Sequence, residues 1–170
     1  LGRSFQDARL FPGLTVEESI AVACERFVES KDVLSAALRL PWAYDSETKV
    51  ASRVDGLIEL LGLGPHRTKL IRELSTGTRR LADLACLLAH RPTVILLDEP
   101  SSGVAQRETE ELGPLLRRIR DETGASLVVV EHDIPLVRSV SDRLVAMDRG
   151  AVIASGPPAE VLADDAVVTA

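Results

Sequence analysis

VILLDEPSSG, residues 94–103, decides how the rest of the chain is read. Four aliphatic residues run without interruption into Asp98 and Glu99. The run from Thr93 to Leu97 predicts a strand buried on both faces, the kind found in parallel sheets. Downstream, residues 106–121 have the spacing of an amphipathic helix. Residues 126–131 (SLVVVE) predict a second buried strand. A strand, a helix and a strand in that order imply a parallel pair joined by a right-handed crossover.

Working outward, residues 143–147 and 151–155 flank Asp148-Arg149-Gly150 and read as a hairpin. Upstream the pattern is helical. Thr15 and Glu18 have the spacing of a capping box at the start of one helix. Residues 31–39 and 47–61 are helical by pattern; Val50, Val54, Leu57, Ile58 and Leu61 share one face of the second. Pro41 to Tyr44 reads as a break between them. Gly62-Leu63-Gly64-Pro65 ends the second, and Ser75 opens a further helix running to Ala89. Residues 1–5 read as a short strand. The fold class is therefore α/β, with residues 16–90 mostly helical and residues 91–155 carrying the sheet. There is no internal repeat.

The chain has 170 residues, 45% hydrophobic and 27% charged, with a formal net charge of −6. That is one domain or a large piece of one. The acidic balance argues against a nucleic-acid partner, and the basic pairs Arg79-Arg80 and Arg117-Arg118 read as solvated helix faces. Aromatic residues make up 3%, too few for base-stacking platforms. The aliphatic runs fall far short of the ~20 residues that span a bilayer. Cys24 and Cys86 sit in apolar helical surroundings and read as reduced thiols, which points to the cytosol. The opening LGRSF and the closing VVTA read like the interior of a domain, so a fragment of a longer protein is expected.

Four places carry chemistry. Asp98 and Glu99 end a strand, where α/β sheets bind their ligands. One carboxylate there can hold Mg²⁺, which needs few protein ligands. The next can orient or deprotonate a water. His132 ends the neighbouring strand in Glu131-His132-Asp133 and should project toward that pair, within reach of a phosphate oxygen or the attacking water. Ser75-Thr76-Gly77 opens a helix whose free N–H groups attract anions; taken alone, an ordinary serine cap accounts for it. Gln6, at the end of the first strand, could ligate a metal through its carbonyl. His66 and His90 read as loop and helix-end residues. The phosphate-cradling pattern G-x-x-x-x-G-K-[S/T] is not in the sequence.

In this order, the four resemble the ATP-binding-cassette (ABC) ATPases over nearly the whole chain. Gln6 is similar to the Q-loop glutamine and residues 74–79 to the signature motif. Residues 94–99 resemble the Walker B strand with its catalytic glutamate, residues 101–105 the D-loop, and His132 the switch histidine. The resemblance implies a partial P-loop NTPase fold lacking its N-terminal strands and Walker A loop. Its parts would be a Q-loop region (1–15), a helical subdomain with the signature (16–90) and an α/β core (91–170). It implies ATP and Mg²⁺ as cofactors, with Glu99 and His132 catalytic. Gln6, Ser75, Thr76, Gly77 and Asp98 would bind nucleotide, and Gln6 and Asp98 the metal.

The partners it implies are a second cassette and a membrane permease, separate or fused, at the cytoplasmic face of the membrane. Within the superfamily, Phe5-Gln6 with Arg9-Leu10-Phe11, Glu131-His132-Asp133 with Leu136-Val137, Ser141-Asp142-Arg143, and residues 156–161 (GPPAEV) resemble the branched-chain amino-acid uptake type. Thr76 stands where the family has glycine, Thr78 where it has glutamine, and Ala105 where Asp or Asn is common. A non-transport ABC ATPase and a non-catalytic interaction module are the alternatives. The fragment alone is expected to lack ATPase activity and, with a sheet edge exposed, to pair or aggregate.

Overall fold

A computed structural model describes residues 1–3, 10–25, 41–103 and 106–169, with the side chains of 41–46 and 106–109 left out. Gln6, the helix expected over 31–39, and Val104-Ala105 lie outside the described residues.

The order of elements is β1 (Gly2–Arg3), α1 (Val16–Cys24), α2 (Pro41–Leu60), α3 (Thr76–Ala89), β2 (Val94–Asp98), α4 (Gln106–Thr123), β3 (Ser126–Val130), α5 (Ile134–Val140), β4 (Leu144–Asp148), β5 (Ala151–Gly156), α6 (Pro158–Val161) and α7 (Asp165–Val168). Short 3₁₀ turns at Gly64–His66 and Ile71–Glu73 join α2 to α3. The α/β class holds. β1, β2 and β3 form a parallel sheet in that spatial order, with Gly2 opposite Ile95 and Val94 opposite Ser126. β4 and β5 form a separate antiparallel hairpin.

Local chemistry sets the helix starts. The Thr15 hydroxyl accepts from the Glu18 N–H at 3.2 Å, and the Glu18 carboxylate accepts from the Thr15 N–H at 2.8 Å. The capping box expected there is complete. The chain before α1 is then stitched to the segment before α3, through Val16 N–H to the Lys69 carbonyl at 3.1 Å and Ile71 N–H to the Leu14 carbonyl at 2.9 Å. Arg67 reinforces the seam, bonding Glu17 of α1 at 2.5 Å and Asp55 of α2 at 2.7 Å.

Pro41 to Tyr44 is not a break; α2 begins at Pro41. Proline fits the first helical turn, where its missing N–H would be unpaired anyway. The second correction concerns the strands. On β2, Ile95 and Leu97 are buried while Val94 and Leu96 are half-buried. β3 is less covered still: Val128 and Val130 are 49% and 60% exposed. Its inner face, Leu127 and Val129, packs against the core. Aliphatic content alone does not separate a strand covered on both faces from one covered on one.

One apolar core joins the helical layer to the sheet. Ile20, Leu57, Leu88, Ile95, Leu116 and Ile119 are all almost completely buried in it. α4 also packs on α5 at Gly113, where a Cβ would stand 2.7 Å from the Ser139 Oγ. Both cysteines are free thiols, Cys24 buried and Cys86 half-buried. Among the described residues no helix is long and apolar enough to cross a membrane.

Candidate nucleotide site

Parallel pairing puts the carboxyl ends of β2 and β3 at one edge of the sheet. Asp98 is the last residue of β2, opposite Val130, and is exposed at that edge. Glu99 follows with φ +45°, in the left-handed region. A non-glycine residue there stores about 1–3 kcal/mol, and such strain concentrates at functional sites. The Glu99 N–H donates to the Val130 carbonyl at 2.9 Å, so the β2–β3 ladder continues one step past the strands.

His132 lies where the sequence places it. Its Nδ1 is 3.9 Å from the Glu99 carboxylate, with the imidazole largely in solvent. The side chains of Glu99 and His132 therefore face each other across the ends of two adjacent strands. A phosphate oxygen or a water could touch both.

Sequence reasoning missed the part played by Glu131. Its carboxylate is fully shielded from solvent. It accepts from the Ser101 N–H at 2.7 Å and from the His132 N–H at 3.1 Å. Burial alone would push its pKa up, but the hydrogen bonds from Ser101, His132 and Asp133 outweigh it and hold the carboxyl below its ordinary value. The only signal in the sequence was an acid at the end of an apolar strand.

Ser75, Thr76 and Gly77 form a second group at the start of α3. Ser75 is the N-cap, its hydroxyl accepting from the Thr78 N–H at 3.2 Å and lying 2.9 Å from the Thr78 hydroxyl. Ser75 and Thr76 are exposed, so the unpaired N–H groups of the first turn are open to an anion. Arg79 and Arg80 are not the solvated face expected of them. Both are half-buried and bond backbone carbonyls, Arg79 that of Leu74 at 3.2 Å and Arg80 that of Pro100 at 3.1 Å. Arg80 thus joins the second group to the loop that follows Asp98 and Glu99.

Among the described residues no cluster of three His, Cys, Asp or Glu side chains could hold a metal unaided. The donor set does suit Mg²⁺ bound with phosphates, which takes one or two carboxylates and keeps its waters. Asp98 is an exposed carboxylate at the strand end that could serve as such a ligand.

Residues 1–102 match the family described as ABC transporter. The chain is 30% identical over 168 residues to the high-affinity branched-chain amino acid transport ATP-binding protein LivG of Salmonella typhimurium, covering 99% of this chain and 66% of that protein. The same identity and coverage relate it to BraF of Pseudomonas aeruginosa. It is 34% identical to the molybdenum import ATP-binding protein ModC of Methylococcus capsulatus, covering 96% of this chain and 40% of that one. Among solved structures, cbiO1 of Clostridium perfringens, part of the ABC transporter complex cbiONQ, superposes with a TM-score of 0.78 at 26% identity, covering 99% of this chain and 61% of that one. The chain thus spans about two-thirds of the length of LivG and BraF. The match over residues 1–102, more than half of its length, makes this chain a member of the ABC transporter family.

Proposed function

We propose that this chain forms the carboxyl-terminal part of an ATP-hydrolysing cassette that drives a membrane importer of branched-chain amino acids. The observation that carries the reading is the facing pair Glu99 and His132, 3.9 Å apart at the carboxyl edge of the parallel sheet. Glu99 would polarise the attacking water and His132 would contact the γ-phosphate. Asp98, with Gln6, would hold Mg²⁺, which neutralises charge on the phosphates. Phosphoryl transfer of this kind relies on positioning and charge stabilisation.

We place the Walker A loop in the third of the relatives' length that this chain does not span. In the assembled protein, Ser75 and Gly77 would face the phosphates held by a second cassette. The helical layer would dock on a permease at the cytoplasmic face of the membrane. The substrate class rests on LivG and BraF, which align over a larger share of their length than ModC does.

A second reading has one observation behind it. Thr76 and Thr78 replace the family's glycine and glutamine, and the Thr78 hydroxyl engages Ser75. In that reading the cassette is a non-catalytic module that contributes only the signature surface and a docking face.

Calorimetry with Mg-ATP separates the two readings. It would use Glu99→Gln to block turnover, in this chain alone and with its native flanking sequence. Binding by the flanked form alone is expected. Binding by neither overturns the ATPase reading and favours the module.

A further inference from the structure

Two loops meet at the carboxyl edge of the sheet. Residues 99–103 follow β2 and residues 131–133 follow β3. Each loop delivers one member of the facing pair, Glu99 from the first and His132 from the second. The Glu99 N–H bond to the Val130 carbonyl fixes the backbone where the first loop starts; beyond that step, the two loops need a further tie to hold their side chains at a set separation.

Glu131 has the geometry of that tie. Its Oε1 accepts from the Ser101 N–H of the first loop at 2.7 Å. Its Oε2 accepts from the His132 N–H of the second at 3.1 Å and the Asp133 N–H at 3.5 Å. The same Oε2 stands 3.9 Å from the His132 Nδ1. The side chain is completely enclosed, at 0% exposure. A buried carboxylate is retained only where hydrogen bonds replace its hydration, and here those bonds go to two loops at once.

We propose that Glu131 is a positioning residue that clamps the loop after β2 to the loop after β3 and so sets the placement of Glu99 against His132. The inference rests on the ATPase reading for its catalytic consequence, but the clamp itself does not. An ionised carboxylate accepts at both oxygens and carries no proton to turn toward an N–H donor. Glutamine turns an NH₂ toward one set of N–H donors and must release one loop. Aspartate keeps the charge but is a methylene shorter and reaches one loop only. The lowered pKa of Glu131 agrees with a carboxylate that stays ionised there.

The test uses Glu131→Gln, with Glu131→Asp as the second variant, in the chain with its native flanking sequence. Three readouts are taken. Amide hydrogen exchange follows Ser101, His132 and Asp133. Nitrogen-proton NMR follows the imidazole of His132, with His66 and His90 as internal controls. ATPase kinetics separate kcat from KM.

The expected result is faster exchange at Ser101 or at the His132–Asp133 pair, by about tenfold or more, and a shift of the His132 imidazole signals alone. In the same variants kcat falls by about tenfold to a hundredfold with KM within about twofold. Unchanged exchange and unchanged His132 signals in variants that fold overturn the proposal, as does a rise in KM with kcat intact. A wild-type protein with no ATPase activity would overturn the function proposed above, while exchange and imidazole signals would still decide whether Glu131 clamps the loops. If Glu131→Gln does not fold, Glu131→Asp carries the same measurements.

Discussion

Arg80 in α3 donates a hydrogen bond to the carbonyl oxygen of Pro100 at 3.1 Å. The same nitrogen also reaches the Ser102 carbonyl. A guanidinium planted one turn into α3 therefore closes the turn that follows Asp98 and Glu99. Arg80→Ala strands two half-buried carbonyls and should cost about 1.5–3 kcal/mol, the range for hydrogen bonds to a charged group. Urea unfolding should show it as a lower midpoint at unchanged slope. Arg80→Lys should recover part of the loss, because an ammonium can hold one carbonyl but lacks the planar fork. An alanine variant as stable as wild type would mean the contact contributes nothing.

Glu131 predicts how acid acts on the fold. Its folded pKa lies below its ordinary value. A depressed carboxylate contributes stability that is fully present above the unfolded pKa and is lost as pH falls through the folded one. The Tm difference between wild type and Glu131→Gln should therefore be constant from neutral pH down to about 5, near the unfolded glutamate value, and shrink below it. A difference that persists undiminished to strongly acidic pH would contradict an ionised Glu131.

The hairpin offers a gain in stability. Arg149 and Gly150 connect Asp148 to Ala151, which pair directly, and both have positive φ, +46° and +84°. That is the two-residue type I′ connection, which favours Asn-Gly. Arg149 is 92% exposed, so little packing opposes a change there. Arg149→Asn should stabilise by about 0.5–1 kcal/mol, since an ordinary L-residue bears a left-handed penalty of about 1–2 kcal/mol. Gly150→Ala should destabilise by about 1 kcal/mol for the same reason. Thermal unfolding of the two variants should move in opposite directions, and a shift in the same direction would refute the assignment of the turn.

How much could be read in the sequence follows the range of the interactions. The Thr15–Glu18 box, the Ser75 cap and the β4–β5 hairpin are made by residues within a few positions of one another, and each was legible. Asp98, Glu99 and His132 were legible as a group because parallel pairing of two adjacent strands brings their ends together. Arg80 and Glu131 were not. Each bonds backbone groups of a loop 20 to 30 residues away, and nothing in local spacing announces such a partner. The outer face of β3 was misread because its valines look the same whether a layer covers them or not.

The place of β1 also bears on the order of assembly. Gly2 and Arg3 pair with Ile95 and Leu96 across an intervening stretch that contains α1, α2 and α3. Closing so long a loop early is entropically unfavourable, whereas β2, α4 and β3 are near neighbours in the chain. Gly2 also sits against Leu87 and Pro92, at the end of α3 and just beyond it, so its berth exists only once that helix has packed. β1 is thus set to dock on β2 only after the helical layer that separates the two in the chain has formed.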